Sequence, residues 1–158
     1  MKRHIVLATL LAIVTLAADQ ATKIAVAQTF ALGESVPVLP FFSLTYVQNQ
    51  GAAWGMFQGA QLLLAAFGVV AAVLLLCFYR KLFGAHPRNL YVTTLLLGGI
   101  VGNVIDRLRL DYVIDFLHFH WANYHFPCFN VADSAICVAV ALLFLFQALP
   151  EKKEHKGE

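Results

Sequence analysis

Ten ionisable side chains stand at or beside long apolar segments of this sequence, where charge is costly and therefore points to function. They are Asp19, Lys23, Asp106, Arg107, Asp111, Asp115, His118, His120, His125 and Asp133. Asp115, in VIDF, and Asp133, in NVAD, are each flanked by apolar residues. Two carboxylates held together in apolar surroundings cannot both ionise readily, so they share a proton. One can then act as a base toward water while the other donates a proton, which is the chemistry of amide hydrolysis.

Asp133 also has a purely structural interpretation. Asn130 is a suitable N-cap for the apolar run that begins at Val131, and Asp133 then falls at the third helical position. An acidic residue there stabilises a helix N-terminus by about 0.3–1 kcal/mol. Spacing alone favours this structural role for Asp133, whereas Asp115 has no comparable explanation.

Two other kinds of chemistry stay open at this point. A metal site could use His118, His120 and His125 with Asp115, because alternate residues of an extended segment project to one face. Histidines among interfacial aromatics are more often surface hydrogen-bonding groups, so we expect no metal ion and no other cofactor. A transporter could use buried carboxylates as a proton relay, but the charges cluster at one end of the apolar spans and no internal repeat is found.

The elements that must position these residues are membrane helices. The chain has 158 residues, of which 60% are hydrophobic and 13% charged, and residues 56–79 hold no charge. A helix of that length crosses a hydrocarbon core of about 30 Å. Apolar runs predict helices at about 5–26, 61–79, 90–109 and 131–149, and alternation in 36–48 predicts strand structure within an outer β region at about 36–55. We expect one membrane-embedded domain over residues 1–158, all-α, with four transmembrane helices and a small extracytoplasmic β-sheet.

The first apolar run also has the features of a secretory signal peptide, with basic residues before it and small residues at its end. Because three further spans follow, we expect it to be a retained helix. Eight of the eleven Lys and Arg fall on the side of the two termini, which predicts that both termini are cytoplasmic. The ionisable cluster then lies near the outer leaflet. The net charge of +2 reflects this asymmetry, and we expect no nucleic-acid partner.

Further polar residues have helical spacing. Asp19 and Lys23 are four residues apart and so share a face, which suits an interfacial ion pair with Lys23 extending outward or a contact with a polar substrate. Gly98 and Gly102 form a GxxxG pair that permits close helix packing.

Five motifs of the chain resemble the lipoprotein signal peptidase family, the type II signal peptidases, which are bacterial intramembrane aspartyl proteases. They are DQATK (19–23), NQGAAWG (49–55), GGIVGNVIDR (98–107), VIDF (113–116) and FNVAD (129–133), in the family's order over nearly the whole chain.

The resemblance implies a catalytic pair, Asp115 and Asp133, and a multi-pass protein of the bacterial inner membrane. It implies cleavage of diacylglyceryl-modified prolipoproteins before the lipidated cysteine, with lipid-modified precursor and membrane lipid as partners. Since one chain holds the whole set of motifs, we expect a monomer. The supporting or substrate-binding residues would be Asp19, Lys23, Asn49, Gly51, Asn103, Asp106, Arg107 and Asn130.

The chain departs from the family pattern at Asp111, where members usually have glycine. A carboxylate four residues before Asp115 would raise the pKa of Asp115 if the two lie close.

Overall fold

The computed structural model describes residues 1–52 and 56–149, and residues 53–55 of the NQGAAWG motif and the charged tail from 150 onward lie outside them. The described residues form four helices: α1 (Lys2–Thr29), α2 (Gln61–Phe83), α3 (Pro87–Leu110) and α4 (Val131–Ala148). They also form four strands: β1 (Ser35–Leu39), β2 (Phe42–Asn49), β3 (Val113–Trp121) and β4 (Tyr124–His125). Each helix is long and apolar enough to span a membrane. The predicted fold class, four membrane-spanning helices with a small sheet, is confirmed.

The helices α1, α2 and α4 all pack against α3, which is the central element. Of its most apolar 18 residues, 56% are buried, compared with 6% in α2. The large apolar side chains of α2, such as Leu62, Phe67 and Leu76, are exposed. Exposing this much apolar surface to water would be energetically unfavourable, so we infer that α2 faces lipid, whereas α3 is largely covered by other parts of the protein.

Glycines allow α3 to approach its neighbours closely. A methyl group added at Gly102 would lie 2.5 Å from Oδ2 of Asp19, and one at Gly99 would lie 2.5 Å from the backbone oxygen of Ala132. At Gly98 the closest atoms would be 3.1 Å away, on Ala12 and Thr15 of α1. The close packing expected from the Gly98 and Gly102 pair is therefore present, and Gly102 brings α3 against an ionisable residue of α1.

The four strands form one antiparallel sheet in the order β1-β2-β3-β4. It lies between the last residues of α1 and the first of α2, and again between α3 and α4, so it sits at one end of the helix bundle. The sequence predicts strand structure only within residues 36–55, whereas the structure also forms a strand over residues 113–121, β3, which pairs with β2 from Phe42 opposite Phe119 to Asn49 opposite Val113. The partner strand is about 70 residues away along the chain, and local patterns do not reveal such a pairing.

A turn at Asp111 leads from α3 into β3. Asp111 has a φ of +62°, in the left-handed region where glycine is favoured, and its backbone N–H donates to Arg107 O at 3.3 Å. Aspartate is one of the few other residues that adopts this conformation readily, which explains how the chain tolerates it in place of glycine.

Candidate active site

Asp115 lies in β3 and points into a buried polar site. Its side chain is 2% exposed. Asn49 Nδ2, at the end of β2, donates to Asp115 Oδ2 at 2.9 Å, and Asn130 Nδ2 donates to Asp115 Oδ1 at 2.8 Å. Both carboxylate oxygens are therefore held by side-chain amides, which fixes the orientation of the carboxyl group.

Asp133 is held in the first turn of α4. Asn130 is the N-cap, as the sequence predicted: its Oδ1 accepts from Asp133 N at 2.9 Å, and Asp133 Oδ2 accepts from Asn130 N at 3.2 Å. This reciprocal pair is a capping box. The other oxygen, Asp133 Oδ1, accepts from Asn103 Nδ2 at 2.7 Å. Asp133 thus has the structural role that spacing indicated, and it also faces the polar site.

Two asparagines link the aspartates to each other. Asn130 contacts both Asp115 and Asp133, and its Nδ2 also donates to Asn103 Oδ1 at 3.1 Å. Asn103, on α3, in turn donates to Asp133. The structure therefore brings together residues of four elements, β2, β3, α3 and α4, and the N-cap of α4: Asn49, Asp115, Asn103, Asp133 and Asn130.

A buried ion cluster lies behind the asparagines. Lys23 Nζ is 2.9 Å from Asp19 Oδ2, 2.9 Å from Asp106 Oδ2 and 3.0 Å from Asn103 Oδ1. The three side chains of the ion cluster are at most 2% exposed. The expected ion pair of Asp19 and Lys23 is present, but the expectation that Lys23 extends outward to the interface is wrong. Its ammonium is turned inward because Asp106, from a distant part of the chain, provides a second carboxylate.

The ion cluster also fixes the first turn of α4 and the start of β3. Asp19 Oδ1 accepts from Ala132 N at 2.9 Å, and Asp106 Oδ2 accepts from Ile114 N at 3.2 Å. These backbone groups are direct neighbours of Asp133 and Asp115. The cluster thus positions both aspartates through the backbone as well as through Asn103.

Gln20 also belongs to this network, although it is not among the site residues predicted from the sequence. Its Nε2 lies 3.1 Å from Asp19 Oδ2, 3.0 Å from Asp106 Oδ1 and 3.3 Å from Gly102 O. The signal was its place inside the DQATK motif, next to Asp19.

Arg107 connects α3 with the loop that follows β2. Its Nη2 donates to Gly51 O at 3.1 Å, and its Nη1 donates to Asn103 O at 3.4 Å. Gly51 N donates to Asn49 Oδ1 at 2.9 Å. The loop beginning at Asn49 is therefore tied at once to Asp115, through the asparagine side chain, and to α3, through the arginine.

The surroundings of Asp115 disfavour its ionised form. Burial, with the nearby negative charge of Asp133, raises the pKa of Asp115 to about 7, although the bonds from Asn49 and Asn130 act in the opposite direction. The charged neighbour responsible is Asp133, and Asp111 is exposed. A carboxyl group that is protonated near neutral pH, beside a second carboxyl group, is suited to acid and base catalysis.

Cys128 is the cysteine nearest to this chemistry. Burial, with the negative charge of Asp115, raises the pKa of the Cys128 thiol to about 11. Its thiol therefore stays protonated at neutral pH and is a poor nucleophile.

The three histidines of the sheet lie apart from the aspartates. His118 and His120 are both in β3 and contact Thr45 and Ser43 of β2, whereas Asp115 contacts Asn49 and Asn130. Because alternate residues of a strand face opposite sides, Asp115 and His118 project from opposite faces of β3. The alternative arrangement with Asp115 as the fourth metal ligand is therefore not formed. Burial, with His125 and His120, lowers the pKa of His118.

Comparison with known proteins identifies the family that this chain is similar to. Residues 11–149 match the protein-family model described as Signal peptidase (SPase) II. The lipoprotein signal peptidase of Symbiobacterium thermophilum is 43% identical over 148 residues, covering 93% of this chain and 97% of that protein. Those of Paraburkholderia phymatum and Bacillus pumilus are 46% and 41% identical, covering 84% and 94% of this chain and 81% and 96% of their own lengths.

A solved structure supports the same assignment. It is described as a bacterial membrane enzyme determined by the in meso method at 2.3 Å resolution, and it superimposes with a TM-score of 0.82 at 32% sequence identity. The alignment covers 96% of this chain and 94% of the other. Together with the matched family model and relatives, these findings show that the chain belongs to the signal peptidase II family, the lipoprotein signal peptidases.

Proposed function

We propose that this multi-pass protein of the bacterial inner membrane is an aspartyl endopeptidase that removes the signal peptide from prolipoproteins. Membership of the signal peptidase II family supports signal-peptide removal. The observation that carries the aspartyl mechanism is that Asn130 contacts both carboxyl groups in a buried site: its Nδ2 donates to Asp115 Oδ1, and its backbone N–H donates to Asp133 Oδ2. Asn49 and Asn103 also donate to these two carboxyl groups, and neither group is ion-paired with a cation in the part of the chain that the structure describes. Among the described residues, no other pair of carboxylates has this combination of contacts.

The two carboxyl groups divide the proton transfers between them. With its pKa raised to about 7, Asp115 fits the role of the group that carries the shared proton. Asp133 then accepts a proton from a water molecule as the water oxygen attacks the scissile carbonyl carbon, and Asp115 donates its proton to the carbonyl oxygen, which gives a gem-diol intermediate. As the C–N bond breaks, Asp133 gives its proton to the leaving nitrogen. One hydroxyl of the gem-diol returns a proton to Asp115 as the carboxyl product forms, which restores the shared proton to the pair.

The substrate we propose is a precursor whose cysteine already carries diacylglycerol, cut immediately before that cysteine. A signal peptide is itself an apolar segment and can enter from the bilayer beside the helices. The acyl chains would hold the cysteine at a fixed depth, so the scissile bond lies near the aspartates at the sheet end of the bundle. Asn49, which binds Asp115 and Gly51 N, and Gly51, whose carbonyl oxygen accepts from Arg107, would bind the precursor's backbone beside Asp115.

We also propose an orientation and an assembly state. The start of α1 and the end of α4 lie at the end of the bundle opposite the sheet, together with Arg80 and Lys81 in the last turn of α2 and Arg88 in the first turn of α3. Because basic residues favour the cytoplasmic side, we propose that this end and both termini are cytoplasmic and that the site lies near the outer leaflet. All the residues of the proposed site come from one chain, and we propose that a monomer is active.

The test is a cleavage assay with the purified protein and two forms of one precursor, with and without diacylglycerol on the cysteine. We expect cleavage of the modified form only, and mass spectrometry should give a product that begins with the lipid-bearing cysteine. Cleavage at another bond, equal cleavage of the unmodified form, or no cleavage of either form would contradict the proposal.

A further inference from the structure

We propose that His118 and His125 form a binding site for a divalent late transition-metal ion, such as Zn²⁺ or Cu²⁺, on the sheet and outside the proposed active site. His118 belongs to β3 and His125 to β4, so a bound ion would join these two strands. Neutral imidazole is a good ligand for both ions. This site does not depend on the proposed cleavage reaction.

The spacing of the ring nitrogens fits one ion. His118 Nε2 and His125 Nδ1 are 3.2 Å apart, and the ring centroids are 5.2 Å apart. Two nitrogens bound to one tetrahedral zinc ion, each at 2.0–2.1 Å, are separated by about 3.3 Å. An ion could therefore replace the hydrogen bond between the two rings with only small rotations of the side chains.

The sheet holds the His118 ring in the orientation that a ligand needs. Its Nδ1 lies 3.1 Å from Thr45 Oγ1, and that hydroxyl is in turn 2.7 Å from Ser35 Oγ. When Nδ1–H donates to Thr45, the lone pair of Nε2 is directed at His125. A hydrogen bond on the second ring nitrogen is the usual way in which proteins orient a metal-binding histidine.

His125 supplies the second nitrogen and the access. It is exposed, so an ion can reach the pair from solvent. In the hydrogen-bonded state that this orientation of His118 requires, His125 carries its proton on Nδ1. When the ion binds there, that proton moves to Nε2, so the imidazole stays neutral and no further group is needed to accept a proton.

His120 lies beside the pair but is occupied elsewhere. Its ring is 5.4 Å from His118 and 5.7 Å from His125, and its Nε2 is 2.9 Å from Ser43 Oγ. Within residues 1–52 and 56–149, no group of three His, Cys, Asp or Glu side chains is arranged to hold a metal ion. The site is therefore a two-histidine site whose other positions would be filled by water.

The experiment is a titration of the full-length protein in detergent micelles at pH 7.5, purified without a polyhistidine tag and in a buffer that does not bind metals. Isothermal titration with Zn²⁺ should show one ion per protein, and Cu²⁺ should give an electron paramagnetic resonance spectrum with two coupled nitrogens. We expect His118→Ala and His125→Gln each to weaken binding at least tenfold. His4→Gln, which changes a histidine of α1 bound to Tyr91, should leave the affinity within threefold of the unchanged protein.

His125→Gln keeps the experiment interpretable if His118→Ala disturbs the sheet, because His125 is exposed and belongs to a two-residue strand. Its thermal unfolding without metal should match that of the unchanged protein. The proposal is overturned if the unchanged protein binds no Zn²⁺ at concentrations up to 100-fold above the protein's. It is equally overturned if the double variant His118→Ala/His125→Gln binds the ion as tightly as the unchanged protein.

Discussion

Replacing Lys23 by methionine tests whether the buried ion cluster holds the site together. The methionine side chain has a similar length and removes the charge. Asp19 and Asp106 would then remain buried at 0% and 2% exposure without their cation. Removing one partner of a buried ion pair costs about 3–5 kcal/mol of the free energy of unfolding.

The expected loss of free energy of unfolding can be converted into a change in Tm. For a chain of this size, 1 kcal/mol corresponds to about 2–4 °C in Tm, so Lys23→Met should lower Tm by roughly 6–20 °C. The assay is thermal unfolding in detergent micelles, followed by intrinsic fluorescence. The matched control is Lys81→Met, which removes an exposed lysine in the last turn of α2 and should change Tm by less than about 2 °C.

A second variant separates the charge from the packing. The double variant Asp19→Asn/Lys23→Met has one buried carboxylate fewer than Lys23→Met. Its loss of free energy of unfolding should therefore be smaller than the sum of the losses in the two single variants. If Lys23→Met lowered Tm no more than Lys81→Met does, the cluster would not be the stabilising element that the distances indicate.

Three further predictions concern the surroundings of the aspartates. The pKa of Asp115 is raised to about 7 and we assign the shared proton to this residue, so kcat/KM for cleavage should fall as the pH rises through 7. Asn49→Ala removes a hydrogen bond that favours the ionised form of Asp115, so this variant should show the same fall at a higher pH. Gly102→Ala should lower the free energy of unfolding by about 1–3 kcal/mol and should lower Tm more than Gly98→Ala does. The reason is that the added methyl group would lie 2.5 Å from a carboxylate oxygen of α1 at Gly102, whereas at Gly98 it would lie 3.1 Å from its nearest atoms. Asp111→Gly should raise the free energy of unfolding by up to about 1 kcal/mol, because φ at this position is +62°, and calorimetry should show no loss of stability.

The helices could be predicted from the sequence because membrane spans are local patterns. Each needs about 20 consecutive apolar residues, and the end of each run marks the end of a helix to within a few residues. Asn130 and Asp133 could likewise be placed as an N-cap and a third helical residue, since a capping box involves residues only three apart.

The sheet could be predicted only in part. β2 was expected because its residues alternate, but β3 was not, since its aromatic side chains fit an interfacial loop equally well. Its pairing with β2 joins residues that are distant in the chain, and the histidine contacts across the strands depend on that register.

The position of Lys23 could not be derived from spacing. Its separation from Asp19 indicated an ion pair, but the direction of the ammonium depends on Asp106, which lies on another helix. The same holds for Gln20, whose three contacts all depend on the approach of α3 to α1 at Gly102. Long-range packing, which a single sequence does not show, decides both.

The most direct test of the aspartate pair compares three variants in the cleavage assay with a diacylglyceryl-modified precursor: Asp115→Asn, Asp133→Asn and Asp111→Asn. Asparagine keeps the shape of each side chain but cannot accept a proton from water. General acid and base catalysis contributes about 10²- to 10⁴-fold, so we expect the first two variants to cleave at least 100-fold more slowly while remaining folded. Asp111→Asn, which changes an exposed carboxylate four residues from Asp115, should retain the rate within threefold. Cleavage by either Asp115→Asn or Asp133→Asn at the rate of the unchanged protein would contradict the proposed mechanism.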